Sequence, residues 1–105
     1  MKVSGKMLVK NFKATFKEEF GVDIKVHQGF SFGQFASDED TLASIRSKDA
    51  SGQSKEVAKE VELHGNMTVA TAENAVKDAL GFRIQVLAKD GSNADNGSRL
   101  SLFRD

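Results

Sequence analysis

The residues in this chain best placed to do chemistry are phenylalanines. All eight aromatic residues are Phe, and three of them lie in one run, Gln28-Gly29-Phe30-Ser31-Phe32-Gly33-Gln34-Phe35. On an extended strand alternate side chains share a face, so Phe30 and Phe32 would present their rings together, as platforms on which unpaired bases stack. Lys6, Lys10, Lys13 and Lys17 all precede the first acid, Glu18, and would supply the phosphate contacts. The other polar clusters promise less. His27 and His64 are the only histidines, they lack the i, i+4 spacing of a helical metal pair, and there is no cysteine to join them. Asp23 would be available to orient a histidine, yet no nucleophile stands in a recognisable setting. Asp38-Glu39-Asp40 and the group Asp90, Asn93, Asp95, Asn96 gather oxygens as calcium loops do. In the second group, however, Ala94 occupies a ligand position and no Glu closes the loop. Capping and turn formation explain both clusters. No glycine run of the phosphate-cradling kind precedes a helix. The expectation is therefore no catalytic residue, no cofactor and no metal.

The aromatic run is similar to one strand of the RNA-recognition motif, whose pattern is basic, Gly, aromatic, small, aromatic, apolar, any, aromatic. Segments 12–20 and 22–27 stand where that family has its first helix and second strand. The resemblance implies single-stranded RNA bound by Phe30, Phe32 and Phe35 with the four lysines. Gln28 departs from the basic position, Gly33 from the apolar one, and residues 1–7 offer no aromatic for the partner strand. It covers about the first 60 residues, and 65–105 lie outside it.

What accounts for the whole length is an internal repeat. Residues 5–26 fall without a gap on 65–86, with identities at Gly5/Gly65, Met7/Met67, Val9/Val69, Lys17/Lys77, Gly21/Gly81, Ile24/Ile84 and Val26/Val86. Composition alone gives about one or two such matches. After a two-residue deletion the match resumes at Gly33/Gly91, Ala36/Ala94, Leu42/Leu100 and Arg46/Arg104. One domain, 1–105, is expected, built from pseudo-repeats 1–47 and 61–105 joined by a polar linker 48–60.

Each repeat predicts the same elements. Residues 1–3 and 61–63 read as strand ends, and the triplets at 4–6 and 64–66 as turns. Short extended segments follow at 7–9 and 67–69. Asn11 and Thr71 are expected as N-caps of helices at 12–20 and 72–80, ended by Gly21 and Gly81. Phe12, Phe16 and Phe20 make one apolar stripe; Ala72, Val76 and Leu80 make the other, widened by Ala75 and Ala79. Strands at 22–27 and 82–87 should bury Val22, Ile24, Val26 and Phe82, Ile84, Val86. Ser37 to Asp40 reads as a capping box opening a helix at 38–46, and its counterpart 99–103 as either helix or strand. The fold class is α+β: a duplicated strand–helix–strand unit, with a four-stranded sheet carrying two helices on one face in a ferredoxin-like arrangement. β-grasp-like halves are the alternative.

Fifteen basic and fifteen acidic residues cancel, so no bulk field draws the chain to nucleic acid or membrane. Apolar residues at 39% fit a globular domain, and no apolar run is long enough to cross a bilayer. A small, soluble, cytoplasmic, non-enzymatic interaction module is expected. Its partner would be another protein or a second copy meeting a sheet edge, with single-stranded nucleic acid as the alternative.

Overall fold

Two helices of 12 residues, α1 (Val9–Phe20) and α2 (Val69–Leu80), form around the two apolar stripes. The structure, a computed structural model, describes residues 1–30, 34–46 and 60–103. Phe32, Gly33, Arg104 and nearly all of the linker 48–60 lie outside the described residues. Gly21 and Gly81 close the helices with φ of 84° and 80°, and their N–H groups donate to the carbonyls of Lys17 and Lys77. A Cβ at such a left-handed position costs roughly 1–2 kcal/mol, so these glycines set where each helix stops.

The helix starts differ from expectation. The caps are Leu8 and Thr68, three residues before Asn11 and Thr71. Leu8 makes no side-chain cap. Instead the N–H groups of Val9 and Lys10 donate to the carbonyls of Asp40 and Asp38, at 2.8 and 3.1 Å. Those of Val69 and Ala70 donate to Ser98 and Asn96 at the same two distances. Thr68 adds a local cap, its Oγ1 accepting from Thr71 N–H at 3.2 Å. Backbone from a distant loop thus satisfies most of the first-turn donors that a local side chain would otherwise meet.

The four strands are β1 (Lys2–Ser4), β2 (Ile24–Val26), β3 (Glu60–Glu62) and β4 (Ile84–Val86). Among the described residues they form two antiparallel ladders, β1 with β3 and β2 with β4, and no pairing joins the ladders into the expected four-stranded sheet. The chain's own loops occupy the outer edges where such a joint would form. Ala36 N–H donates to Val26 O and Ala94 N–H to Val86 O, both at 2.9 Å. The β1–β3 ladder is centred on Val3↔Val61 and the β2–β4 ladder on Lys25↔Gln85, so both join residues about 60 apart in the chain.

The expected helix at 38–46 is instead a run of turns. Thr41 bridges Leu8, and the N–H groups of Leu42 and Ala43 donate to Met7 O and Gly5 O, at 2.8 and 2.9 Å. These tertiary bonds compete with helical ones and bury Leu42 and Ile45. The box does close locally: Ser37 N–H donates to Asp40 Oδ2 at 3.3 Å and Glu39 N–H to Ser37 Oγ at 3.4 Å. At the other end Arg99 bridges Thr68, and Leu100–Phe103 is a single 3₁₀ turn.

One core joins both helices and both ladders; the six residues expected to face inward are all buried, although Val22 and Phe82 lie before the strands, which are shorter than expected. Its side chains complement one another in size. Phe12 on α1 has Val22 as the matching strand residue of its own half, whereas Ala72 on α2 has Phe82. The Phe82 ring meets Phe12 edge-on, centroids 6.3 Å apart, and Phe12 meets Phe16 at 6.4 Å. Edge-to-face pairs at this distance add to burial. Phe12→Ala is accordingly expected to cost about 3–5 kcal/mol by urea unfolding; a cost below about 1 kcal/mol would be at odds with this packing.

Candidate binding surface

The β2–β4 ladder offers two edges of the same backbone geometry but different chemistry. His27 N–H donates to Arg83 O and Leu87 N–H to Asp23 O, at 2.9 and 3.0 Å. These bonds place odd-numbered β2 amides on the β4 side, so the N–H groups of Val26 and Val86 face outward.

At the β4 edge, α2 supplies an internal acceptor. Glu73 Oε2 accepts from Val86 N–H at 3.0 Å and from Gln85 Nε2 at 3.5 Å. Partial burial raises the Glu73 pKa above its ordinary 4.5, and the Val86 hydrogen bond works against that rise. A polar cleft of about 120 Å³ lies here, lined by His27, Glu73, Asn74, Lys77, Arg83 and Gln85 among others. His27 Nδ1 is buried and meets no hydrogen-bond partner among the described residues. Burial, then the charges of Arg83 and Lys25, pushes the His27 pKa below 6.5.

At the β2 edge, position 13 of α1 corresponds to position 73 of α2 and carries Lys13; position 25 carries Lys25 in place of Gln85. A cleft of about 230 Å³ is lined by Lys13, Ile24, Lys25, Val26 and Phe35. Phe35 is 57% exposed. Its ring lies 5.0 Å from the His27 ring, and Lys25 Nζ lies 5.8 Å from its centroid. Among the described residues no acceptor meets Val26 N–H and no carboxylate pairs with Lys25.

The residues singled out from the sequence are dispersed over this surface. Phe30 is half-buried under Lys77 Nζ, 5.6 Å from its ring centroid, and Phe35 belongs to the β2 cleft, so these two rings meet different neighbours. Lys6 is exposed. Lys10 pairs with Glu39 at 3.3 Å, Lys13 with Asp38 at 3.1 Å and Lys17 with Asp23 at 3.6 Å. The two oxygen-rich clusters serve turns and ion pairs: Asp90 Oδ1 accepts from the N–H and hydroxyl of Ser92, which lower its pKa. Among the described residues no three His, Asp or Glu side chains converge to hold a metal ion, and no helix is long and apolar enough to cross a membrane. Glu73 and Lys25 are the participants that the sequence left unmarked; only the differences Lys13/Glu73 and Lys25/Gln85 at a 60-residue offset distinguish them.

Compared with known proteins, the chain matches no family model, no curated relative and no solved structure.

The two shifted groups give opposite pH dependences. Between the ordinary carboxylate value of 4.5 and the raised folded value, the unfolded chain loses the Glu73 proton first, so stability falls as pH rises through that interval. Below 6.5 the unfolded chain takes up a His27 proton that the folded chain resists, so this contribution falls as pH drops. Glu73→Gln keeps an oxygen for Val86 N–H and should remove the first dependence, read as urea stability against pH. Glu73→Ala strands that N–H and should cost about 1–2 kcal/mol at neutral pH. Equal pH profiles for wild type and Glu73→Gln would count against a perturbed Glu73.

Proposed function

We propose that this protein is a non-enzymatic interaction module that takes a protein partner at the β2 edge. The observation that carries this reading is Phe35. A large ring more than half exposed, set beside two lysines and a strand amide, Val26 N–H, that no acceptor among the described residues meets, has the composition of a contact surface rather than of a solvated loop. We infer too that the chain is a duplicated strand–helix–strand unit. Hydrogen bonds that recur at equivalent positions support it, such as Leu42 to Met7 beside Leu100 to Met67, or Met7 to Ser4 beside Met67 to His64. On that basis the two edges can be compared position by position.

Binding of single-stranded RNA through Phe30, Phe32 and Phe35 with Lys6, Lys10, Lys13 and Lys17 is less favoured. Three of those lysines already face a carboxylate within 4 Å, which weakens the field a phosphate chain would follow. An amide NMR titration separates the two readings. A pool of short peptides should shift residues 24–27 and 34–36, and Phe35→Ser should abolish those shifts while leaving the rest of the spectrum in place. Shifts produced instead by an RNA pool, centred on 28–30 and the early lysines and fading with salt, would transfer the function to nucleic acid.

A further inference from the structure

The molecule contains a picture of the ligand that its β2 edge lacks. At the β4 edge the outward N–H of Val86 and the Gln85 amide both donate to one carboxylate, Glu73, delivered by the helix beside them. The β2 edge repeats the frame with its donors kept and its acceptor removed. Val26 N–H takes the place of Val86 N–H, Lys25 that of Gln85, and Lys13 that of Glu73. Three groups that can only donate therefore line a cleft of about 230 Å³, walled by Ile24 and the exposed Phe35. Val26 is buried, and a buried strand amide that no acceptor among the described residues meets is costly; two lysine side chains around it favour an anion in that place.

We propose that the β2 cleft binds a carboxylate side chain of an acidic peptide segment, seated on Val26 N–H between Lys13 and Lys25. This rests on the reading of the β2 edge as the interaction surface and adds the chemistry of what it takes. Lys13 is held meanwhile by Asp38 at 3.1 Å; both side chains are exposed, and such pairs exchange readily. Phe35 covers the apolar part of the incoming side chain, with Lys25 near its face. A carboxylate is favoured over a nucleic-acid phosphate because the cleft offers a single seat. Lys10 and Lys17, which would have to follow a phosphate backbone away from it, are engaged by Glu39 and Asp23.

The test uses the full chain and three probes in an amide NMR titration. They are capped hexapeptides with a central Glu flanked by Val and Thr, the same peptides with Gln for Glu, and single-stranded RNA hexamers. The Glu peptides should move the Val26 amide downfield and bind about tenfold or more tightly than the Gln peptides, because a charge-assisted bond replaces a neutral one. Lys13→Glu provides the decisive variant: it supplies the acceptor from within, as Glu73 does, and should abolish Glu-peptide binding. Lys25→Gln, a surface change that leaves the frame intact, should weaken it severalfold. Glu and Gln peptides binding equally at 24–27 would overturn the carboxylate and leave the edge standing. Unchanged affinity in folded Lys13→Glu would do the same. If RNA alone moved these amides, or if no probe did, both the carboxylate and the peptide-binding edge would be wrong.

Discussion

The structure depends on one constraint: each ladder takes one strand from before residue 47 and one from after residue 59. β1 has its only strand partner in β3 and β2 has its own in β4, so neither end of the chain contains a ladder of its own among the described residues. A single strand of three residues cannot satisfy its backbone alone, and each half is therefore completed by the other. Both helices then lie over ladders of mixed origin, which is why one core serves the whole chain. The ladder contacts join residues about 60 apart. Closing so long a loop before any pairing is rewarded makes folding of this chain a single cooperative event rather than the sum of two local ones.

Within that frame the backbone is more regular than the side chains. Most backbone bonds at 5–12 recur at 65–72, the exception being Asn11 N–H to Leu8 O against Thr71 N–H to Thr68 Oγ1, and both helices end on a glycine of positive φ. The side chains, by contrast, exchange large for small at matching positions: Phe12 and Val22 before residue 47, Ala72 and Phe82 after residue 59, all four buried. Two identical halves would place either two rings or two voids at the centre. The exchange lets the Phe12 and Phe82 rings share one space edge to face, filling it to the density a core requires. Side-chain asymmetry is thus a condition for the regular backbone to close.

What was legible in the sequence followed from local causes. Gly21 and Gly81 marked the helix ends because positive φ is a property of one residue. The stripe at Phe12, Phe16 and Phe20 and the alternation of Ile24 and Val26 identified buried faces because periodicity reflects a single element. What failed had distant causes. The helix starts moved three residues because the carbonyls of Asp38, Asp40, Asn96 and Ser98 do the capping. The segment at 38–46 stayed in turns because Leu42 and Ala43 bond to residues 35 and 38 positions away. Strand order was equally out of reach, since nothing about Ile24–Val26 alone distinguishes Ile84–Val86 as its neighbour. The candidate site lay in between. Phe35 was visible as an aromatic, but its place beside Lys25 and Val26 required the bridge between His27 and Phe35.

The same reasoning explains why the two strand edges can differ at positions 13 and 25. Core differences between the halves are constrained by volume, and turn differences by backbone geometry. A half-buried helix position beside a strand edge, such as 13 or 73, is held less tightly by either, so the two halves can differ there. At one edge a carboxylate satisfies the outward amide, and the raised Glu73 pKa records the desolvation that this requires. At the other, Lys13 and Lys25 stand around an amide of the same orientation, Lys13 pairs with Asp38, and no acceptor among the described residues meets the amide itself. In the proposed reading, the edge whose amide meets no acceptor among the described residues is the one with free energy to gain from a partner. An unmet donor that costs stability in the free protein becomes affinity when an acceptor arrives from outside.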